Sequence, residues 1–464
     1  MSPDPAHARE ASRPHDGSRA YDGTRRLAPA RVLEIDPLLD DPETRIVVCC
    51  GSGGVGKTTT AAALGLRAAE RGRKVVVLTI DPARRLAQSM GIDSLDNVPR
   101  RVKGTEGDGE LHAMMLDMKR TFDEVVEAHT DPERAAAILA NPFYQSLSAG
   151  FAGTQEYMAM EKLGQLRAKD EWDLIVVDTP PSRSALDFLD APKRLGSFLD
   201  GRLIRLLTAP AKLGGRAGMK FLNVGMTMMT GTLGKLLGGQ LLKDVQTFVA
   251  AMDTTFGGFR TRADATYKLL QAPGTAFLVV AAPERDALRE ATYFVERLAA
   301  ERMPLAGLVL NRVHGSGAAQ LSAERALAAA ENLEESRIVD QKDGKRLRNS
   351  PQTYGSSDSP ASHSDPGAPQ ADADASSGTD ASASADAPDP AVDQVAAGLL
   401  RLHAERMQLL LREQRTRDRF TALHPEVPVA EVAALPGDVH DLAGLRDIGN
   451  RLANNRREPS DPSA

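Results

Sequence analysis

Eight consecutive residues, Gly51-Ser52-Gly53-Gly54-Val55-Gly56-Lys57-Thr58, fit the spacing G-x-x-x-x-G-K-[ST]. These residue types in this order suit the grip of a polyphosphate. Glycines let the backbone curl so that successive N–H groups point inward at phosphate oxygens, and the N-terminus of a following helix adds its positive end. Lys57 is then placed to reach the β and γ phosphates, and the Thr58 hydroxyl to meet Mg²⁺. An apolar run precedes the loop and an Ala-rich helical stretch follows it, which distinguishes the pattern from an ordinary Gly-rich turn. A second candidate, Asp178, closes the run Leu174 to Val177. A carboxylate at the C-terminal end of a buried strand lies beside such a loop and holds Mg²⁺ through water. The plainer reading of Asp178 is a cap on the next helix.

The elements that must position these groups read as alternating strands and helices. Arg45–Cys50, Lys74–Ile80, Leu174–Val177, Ala276–Ala281 and Gly307–Leu310 are short, almost wholly apolar runs, as expected of strands buried on both faces. A weaker run, Val427–Val432, adds a candidate sixth strand. Helical patterns cover Lys57–Arg71 and Asp286–Arg302. The expected fold is therefore α/β, a doubly wound and mostly parallel sheet. Met114–Lys169 and Ser184–Leu270 are too long for simple crossovers and predict a layer of helical insertions.

Residues 1–40 mix Pro, Asp, Arg, Gly and Ser without periodicity and read as a disordered tail. Residues 341–393 form a low-complexity Ser/Asp/Ala/Pro insert that cannot bury enough apolar surface to order itself. The core then spans 41–340 and resumes over 394–453 as helix, edge strand and helix, before a polar tail at 454–464. A net charge of −6 with pI about 5.9 gives no basic surface for nucleic acid. The two cysteines, Cys49 and Cys50, are adjacent in a strand and point to opposite faces, which suits packing rather than a disulfide or metal site. The sequence begins without a secretory h-region and has no uncharged stretch of about 18 residues for a membrane span. A cytoplasmic location follows as the expectation.

With the loop and Asp178 as anchors, the intervening residues resemble the ArsA-type ATPases, the family of the arsenite-pump ATPase and the tail-anchored-protein-targeting ATPases. Gly53 to Thr59 is similar to the family's G-G-V-G-K-T-T. Asp81-Pro82-Ala83 resembles its switch I, Asp178-Thr179-Pro180-Pro181 its switch II, and Pro283-Glu284 its P-E. Asn311 stands where the family has an adenine-reading Asn. The resemblance covers about Ile46–His314 and, more weakly, Pro428–Leu452. It implies a Mg²⁺-dependent ATPase in which Asp81 orients the attacking water, Lys57 stabilises the transferred charge, and Thr58 and Asp178 hold the metal. Residues Gly51 to Thr59 and Asn311 would then contact ATP, Glu284 the nucleotide or the partner subunit, and the loop Ala433–Val439 would close over adenine.

Departures from the family pattern carry their own expectations. The family's signature lysine, which reaches a partner's phosphates across a dimer, is Ser52 here. The resemblance thus implies a homodimer, or a heterodimer with a paralogue that retains that lysine, and it suggests a bacterial branch lacking it. Arg183 and Ser184 replace a Gly and a His of switch II. The paired cysteines that bind zinc between subunits are absent, as is any thiol cluster suited to arsenite. Leu236-Leu237-Gly238-Gly239-Gln240 looks like an ABC-transporter signature but follows Asp178 instead of preceding it, and reads as a helix break.

A Met-rich stretch, Leu222, Met226, Met229, Leu233 and Leu237, recurs at helical spacing. It reads either as a buried stripe or as a surface for a hydrophobic protein client, since Met adapts to varied apolar partners. The expected function is an ATP-driven switch that couples hydrolysis to dimer closure and client handling. Two other readings stay open: a nucleotide-binding partner subunit that hydrolyses weakly, and a MinD/ParA-like ATPase peripherally associated with membranes.

Overall fold

The computed structural model describes residues 31–80, 84–92, 95–148, 154–180, 261–346 and 390–454. Eight strands form one sheet in the order β3-β4-β2-β5-β1-β6-β7-β8. They are β1 (Ile46–Cys50), β2 (Lys74–Thr79), β3 (Arg100–Arg101), β4 (Glu110–Met115), β5 (Leu174–Asp178), β6 (Thr275–Ala281), β7 (Leu305–Val313) and β8 (Val429–Ala433). Every neighbouring pair is parallel except β3–β4. β1, β5 and β6 are buried at every position, which is what the uninterrupted apolar runs require when helices cover both faces. The fold is thus the α/β P-loop arrangement that strand–helix alternation predicted.

Twelve helices are described: α1 (Ile35–Asp40), α2 (Lys57–Glu70), α3 (Arg84–Ser89), α4 (Met118–His129), α5 (Pro132–Leu139), α6 (Pro142–Ser148), α7 (Thr154–Ala168), α8 (residues 261–270), α9 (Arg285–Ala300), α10 (Ala323–Arg346), α11 (Pro390–Leu423) and α12 (Leu442–Ala453). α2 runs from the phosphate-type loop across the sheet, its Ala-rich turns wholly buried between the strands and α12. Small side chains allow that close approach. α4 and α5 begin at Asp117 and Asp131, whose carboxylates accept from the backbone N–H groups of Arg120 and Arg134 and satisfy donors that the first helical turn leaves open.

Three differences from the sequence reading have physical causes. β4 takes Glu110–Met115, so the stretch from Met114 to Lys169 opens as strand before turning helical. Its alternating pattern, with buried Leu111, Ala113 and Met114 beside half-buried His112, is that of a strand with one wetter face. Part of the expected tail is ordered. Leu33, Ile35 and Leu39 enter the main core, Val32 bridges Val429, and the Leu33 N–H and Arg31 carbonyl bond β8. Three apolar side chains and a paired sheet edge offset the ordering entropy there, and Arg67 and Arg71 lock α1 through Asp36 and Asp40. Finally, α10 and α11 extend into the low-complexity boundaries, to Arg346 and from Pro390. The Met-rich stretch and most of the second helical insertion lie outside the described residues.

Candidate functional site

The loop between β1 and α2 has the geometry its residue types predict. Gly51 takes φ 149° and a Cβ there would fall 2.0 Å from the Val280 carbonyl oxygen on β6. Gly56 takes φ 94°, and a Cβ would meet the Asn311 amide nitrogen at 2.2 Å. Only glycine fits either place, on conformation and on space. α2 then starts at Lys57, with the Thr60 N–H bonded to Gly56 O at 2.9 Å, so the loop sits at a helix N-terminus.

Parallel register brings the chemistry together. Asp178 at the end of β5 is paired with Cys49 on one side and Thr79 on the other. It is fully buried, and its Oδ2 accepts from the Thr58 hydroxyl at 2.7 Å and the Thr79 hydroxyl at 2.9 Å. The Asp178–Thr58 bond joins the two groups expected to hold Mg²⁺ into one cluster of hard oxygen donors, the ligand type that ion prefers. The residues present fit the metal; bound there, it would neutralise phosphate charge. Among the described residues no other grouping of His, Cys, Asp and Glu could hold a metal. Thr179 continues the strand end, donating its hydroxyl to Cys49 O at 2.9 Å.

Lys57 is buried, and its ammonium donates to the Ser52 carbonyl at 2.8 Å, folded back along the loop it belongs to. The Ser52 hydroxyl oxygen is buried with no hydrogen-bond partner among the described residues. Behind the loop, Cys49 and Cys50 are buried free thiols. Burial, then the Asp178 charge, pushes the Cys49 thiol far up, and burial raises Cys50 to about 12, with Lys57 opposing both shifts. Both stay protonated and act as packing groups.

Next to the loop lies a cavity of about 490 Å³ lined by Gly56, Thr59, Pro283, Glu284, Asn311, Arg312, His314 and Glu413 together with the segment Val432–Val439. The Ala433–Val439 loop therefore does form a wall of the space that opens from the phosphate-type loop. Asn311 is nearly buried and donates its amide to Val55 O at 2.8 Å. It is aimed there by an irregularity: the β7–β8 register shifts between Leu310 and Val313, and Arg312 takes φ 62°. A bulge of this kind re-aims a side chain at a strand end. Glu284 is exposed at the cavity rim, at the N-cap of α9, and makes no capping bond.

Sequence reasoning missed the His314–Glu413 pair. Glu413, buried on α11, takes the His314 ring nitrogen at 2.5 Å and the His314 backbone N–H at 3.1 Å. The only sequence signal is one of two Glu residues in a Leu- and Arg-rich helix, which is too weak to find it. Gln155 on α7 was also missed; it donates to Ile80 O at 3.0 Å and so ties the helical layer to the end of β2. Asp81, the expected water-orienting residue, lies outside the described residues, one position beyond Ile80.

A phosphate-type loop at a helix N-terminus, a buried strand-end carboxylate on its threonine, and an adjoining cavity define a P-loop nucleotide-binding protein. The comparisons sharpen that class. The profile of the anion-transporting ATPase family, ArsA, matches residues 44–342, well over half of the chain, and the chain belongs to this family. Curated relatives agree. The chain is 31% identical over 162 residues to "ATPase GET3" of Malassezia globosa, covering 35% of this chain and 46% of that protein. It is 26% identical over 301 residues to "ATPase GET3" of Podospora anserina, covering 63% and 80%, and 26% identical over 264 residues to "ATPase ASNA1 homolog" of Cryptosporidium parvum, covering 57% and 63%. The match thus spans about half of the first relative's length. Placement in a bacterial branch of the family is not borne out by these relatives.

Proposed function

We propose that the chain binds ATP with Mg²⁺ at this site and hydrolyses it, using binding and hydrolysis to close and reopen a dimer. The observation that carries the reading is the Thr58–Asp178 bond at the foot of the loop, with the cavity opening beside it. Backbone N–H groups of Gly53 to Thr59 cradle the phosphates, and Lys57 swings from the Ser52 carbonyl to the β and γ phosphates. The carbonyl is a neutral acceptor that the ammonium gives up for two charged oxygens. Thr58 and Asp178 would hold the metal, which would neutralise charge on the phosphates.

Asn311 uses one amide N–H on the Val55 carbonyl, which leaves its second N–H and its amide oxygen to meet the adenine edge. Glu284 faces the ribose side of the cavity or a partner subunit. Asp81, following directly on the strand that Gln155 and Asp178 anchor, accepts a hydrogen bond from the attacking water and orients it. We further propose that the chain works in the cytoplasm on a hydrophobic protein client, through the Met-rich stretch Leu222 to Leu237. No described helix is long and apolar enough to cross a membrane, and membrane association in this reading is peripheral.

A second reading rests on Ser52. A hydroxyl at this place cannot supply the charge a lysine would bring to a partner's phosphates, and charge stabilisation of that kind is worth several kcal/mol. The chain then hydrolyses slowly by itself and turns over with a paralogue that carries the lysine. Phosphate release by the purified chain, and by its Lys57→Ala and Asp81→Asn variants, decides between these readings. Turnover that disappears in both variants supports the enzyme reading. Turnover only on addition of the paralogue supports the partner reading, and turnover that survives Lys57→Ala overturns the site.

A further inference from the structure

α11 is a 34-residue helix with two apolar faces, and the described residues cover only one of them. On the first, Ala397 and Ala404 are buried and Leu400 and Met407 pack beside them, against Leu321, Ala323, Ala326 and Leu327 around the start of α10. Arg401–Glu334 at 2.7 Å and His403–Leu321 O at 2.8 Å pin the same side. The second face carries Val392, Val395, Leu399, Leu402 and Leu409, exposed by 62%, 63%, 62%, 63% and 37%. Their steps of 3, 4, 3 and 7 are those of a and d positions in a heptad, with Arg406 at the a position between Leu402 and Leu409. At 100° per residue the stripe lies roughly 150° around the helix from the α10 face. Exposed Val and Leu at a/d spacing, interrupted only by Arg406, form a seam that has no partner among the described residues.

We infer that this stripe is a docking surface for α11 of a second copy of the chain, packed antiparallel. Self-pairing follows from the pattern, because the a and d residues are both the knobs and the walls of the holes they enter. Direction follows from Arg406. In a parallel pair two Arg406 side chains meet in one layer of the seam, a like-charge contact that costs stability. In the antiparallel register Leu399 faces the second copy's Leu402, Val392 its Leu409, and Arg406 its Val395. The arginine stem then lies along a valine, and the guanidinium, bonded to Gly315 O at 2.8 Å, stays at the rim.

The size is adequate. Ten such side chains, five from each copy, remove on the order of 1,000 Å² of apolar surface, and the flanking stems bring the contact into the range of about 1,200–2,000 Å² typical of specific interfaces. The helix is already formed and held by α10, so pairing does not bear the entropy that makes short isolated coiled coils marginal. The contact is separate from closure around nucleotide and needs no ligand.

The test is sedimentation velocity of the full chain without nucleotide from about 1 to 100 µM, with Leu399→Glu/Leu402→Glu beside it. Both leucines are exposed, so circular dichroism and melting temperature should match the wild type. Concentration-dependent dimer formation that the double variant loses by tenfold or more supports the contact. A wild type that stays monomeric at 100 µM overturns it, as does a dimer that the double variant leaves unchanged. Register is read by disulfide trapping, because the two native cysteines are buried. A mixture of Leu399→Cys and Leu402→Cys chains should crosslink, whereas each alone should not. Crosslinking of each alone shows parallel pairing and overturns the antiparallel assignment.

Discussion

Asp178→Asn separates the fold of the site from its chemistry. The wild-type carboxylate is fully buried and accepts hydroxyl hydrogens from Thr58 and Thr79. Hydrogen bonds to a charged acceptor contribute about 1.5–3 kcal/mol each, neutral ones about 1. Both hydroxyls bond the same oxygen, Oδ2, and an amide oxygen there can accept both, so two charge-assisted bonds become neutral ones and the loss is about 1–4 kcal/mol. Removing a buried charge returns part of that, and the net change in stability should stay within about 2 kcal/mol, a few degrees in melting temperature. Nucleotide binding should respond far more. An oxygen ligand that orients the metal is worth about 10–100-fold in affinity, or about 1.4–2.7 kcal/mol. A nucleotide at 100 times its Kd stabilises the native state by about 2.7 kcal/mol, so the substitution can cancel the whole effect. Thermal shifts with ATP and Mg²⁺, compared with ATP and EDTA, give the readout. The wild type should gain several degrees from Mg²⁺; the variant should show only the metal-free shift. A variant that keeps the full Mg²⁺-dependent shift refutes the placement of the metal between Thr58 and Asp178.

Gly56→Ala puts a methyl group 2.2 Å from the Asn311 amide nitrogen at φ 94°, so strain of about 1–3 kcal/mol and displacement of Asn311 should lower the melting temperature and abolish the ATP-dependent shift in the same thermal assay. His112 has a pKa lowered by burial, beside the single tryptophan, Trp172, with ring centroids 4.9 Å apart. The unfolded chain therefore takes up this proton at a higher pH than the folded one, and stability should fall as pH drops from about 6.5; His112→Gln should flatten that slope in urea titrations followed by Trp172 fluorescence.

Much of this architecture was readable because burial on both faces leaves an unmistakable mark. The runs at Ile46, Lys74, Leu174, Ala276 and Gly307 are almost wholly apolar, and each became an interior strand of the sheet. The weak run at Val427 also became a strand, as β8. β4 was invisible because Glu110 and His112 break its apolar pattern. The order of residues 31–40 was hidden because Leu33, Ile35 and Leu39 are too few to show a period, and their value lies in distant partners such as Arg67 and Val429. At the site, the loop and Asp178 were legible because their chemistry is tied to local spacing. Glu413 was not, since it reaches His314 across 99 residues of sequence and past the low-complexity insert.

That distant residue also connects features the sequence keeps apart. α11 carries the exposed stripe from Val392 to Leu409, and one turn later, on the same helix, Glu413 enters the wall of the nucleotide-type cavity and holds both the ring and the backbone of His314. Arg417, a further turn on, reaches Glu431 on β8 at 2.8 Å. A helix is stiff over this length, so a displacement at its stripe is felt at His314 and at the strand bearing the Ala433–Val439 wall. Coupling between two sites needs an element whose position both of them bias, and it is reciprocal. α11 meets the structural requirement. If pairing of copies shifts this helix, nucleotide affinity must change by the same factor by which nucleotide changes pairing. The low-complexity insert, joining α10 to α11, enters at the end of the helix farthest from the cavity, where added length does not disturb Glu413.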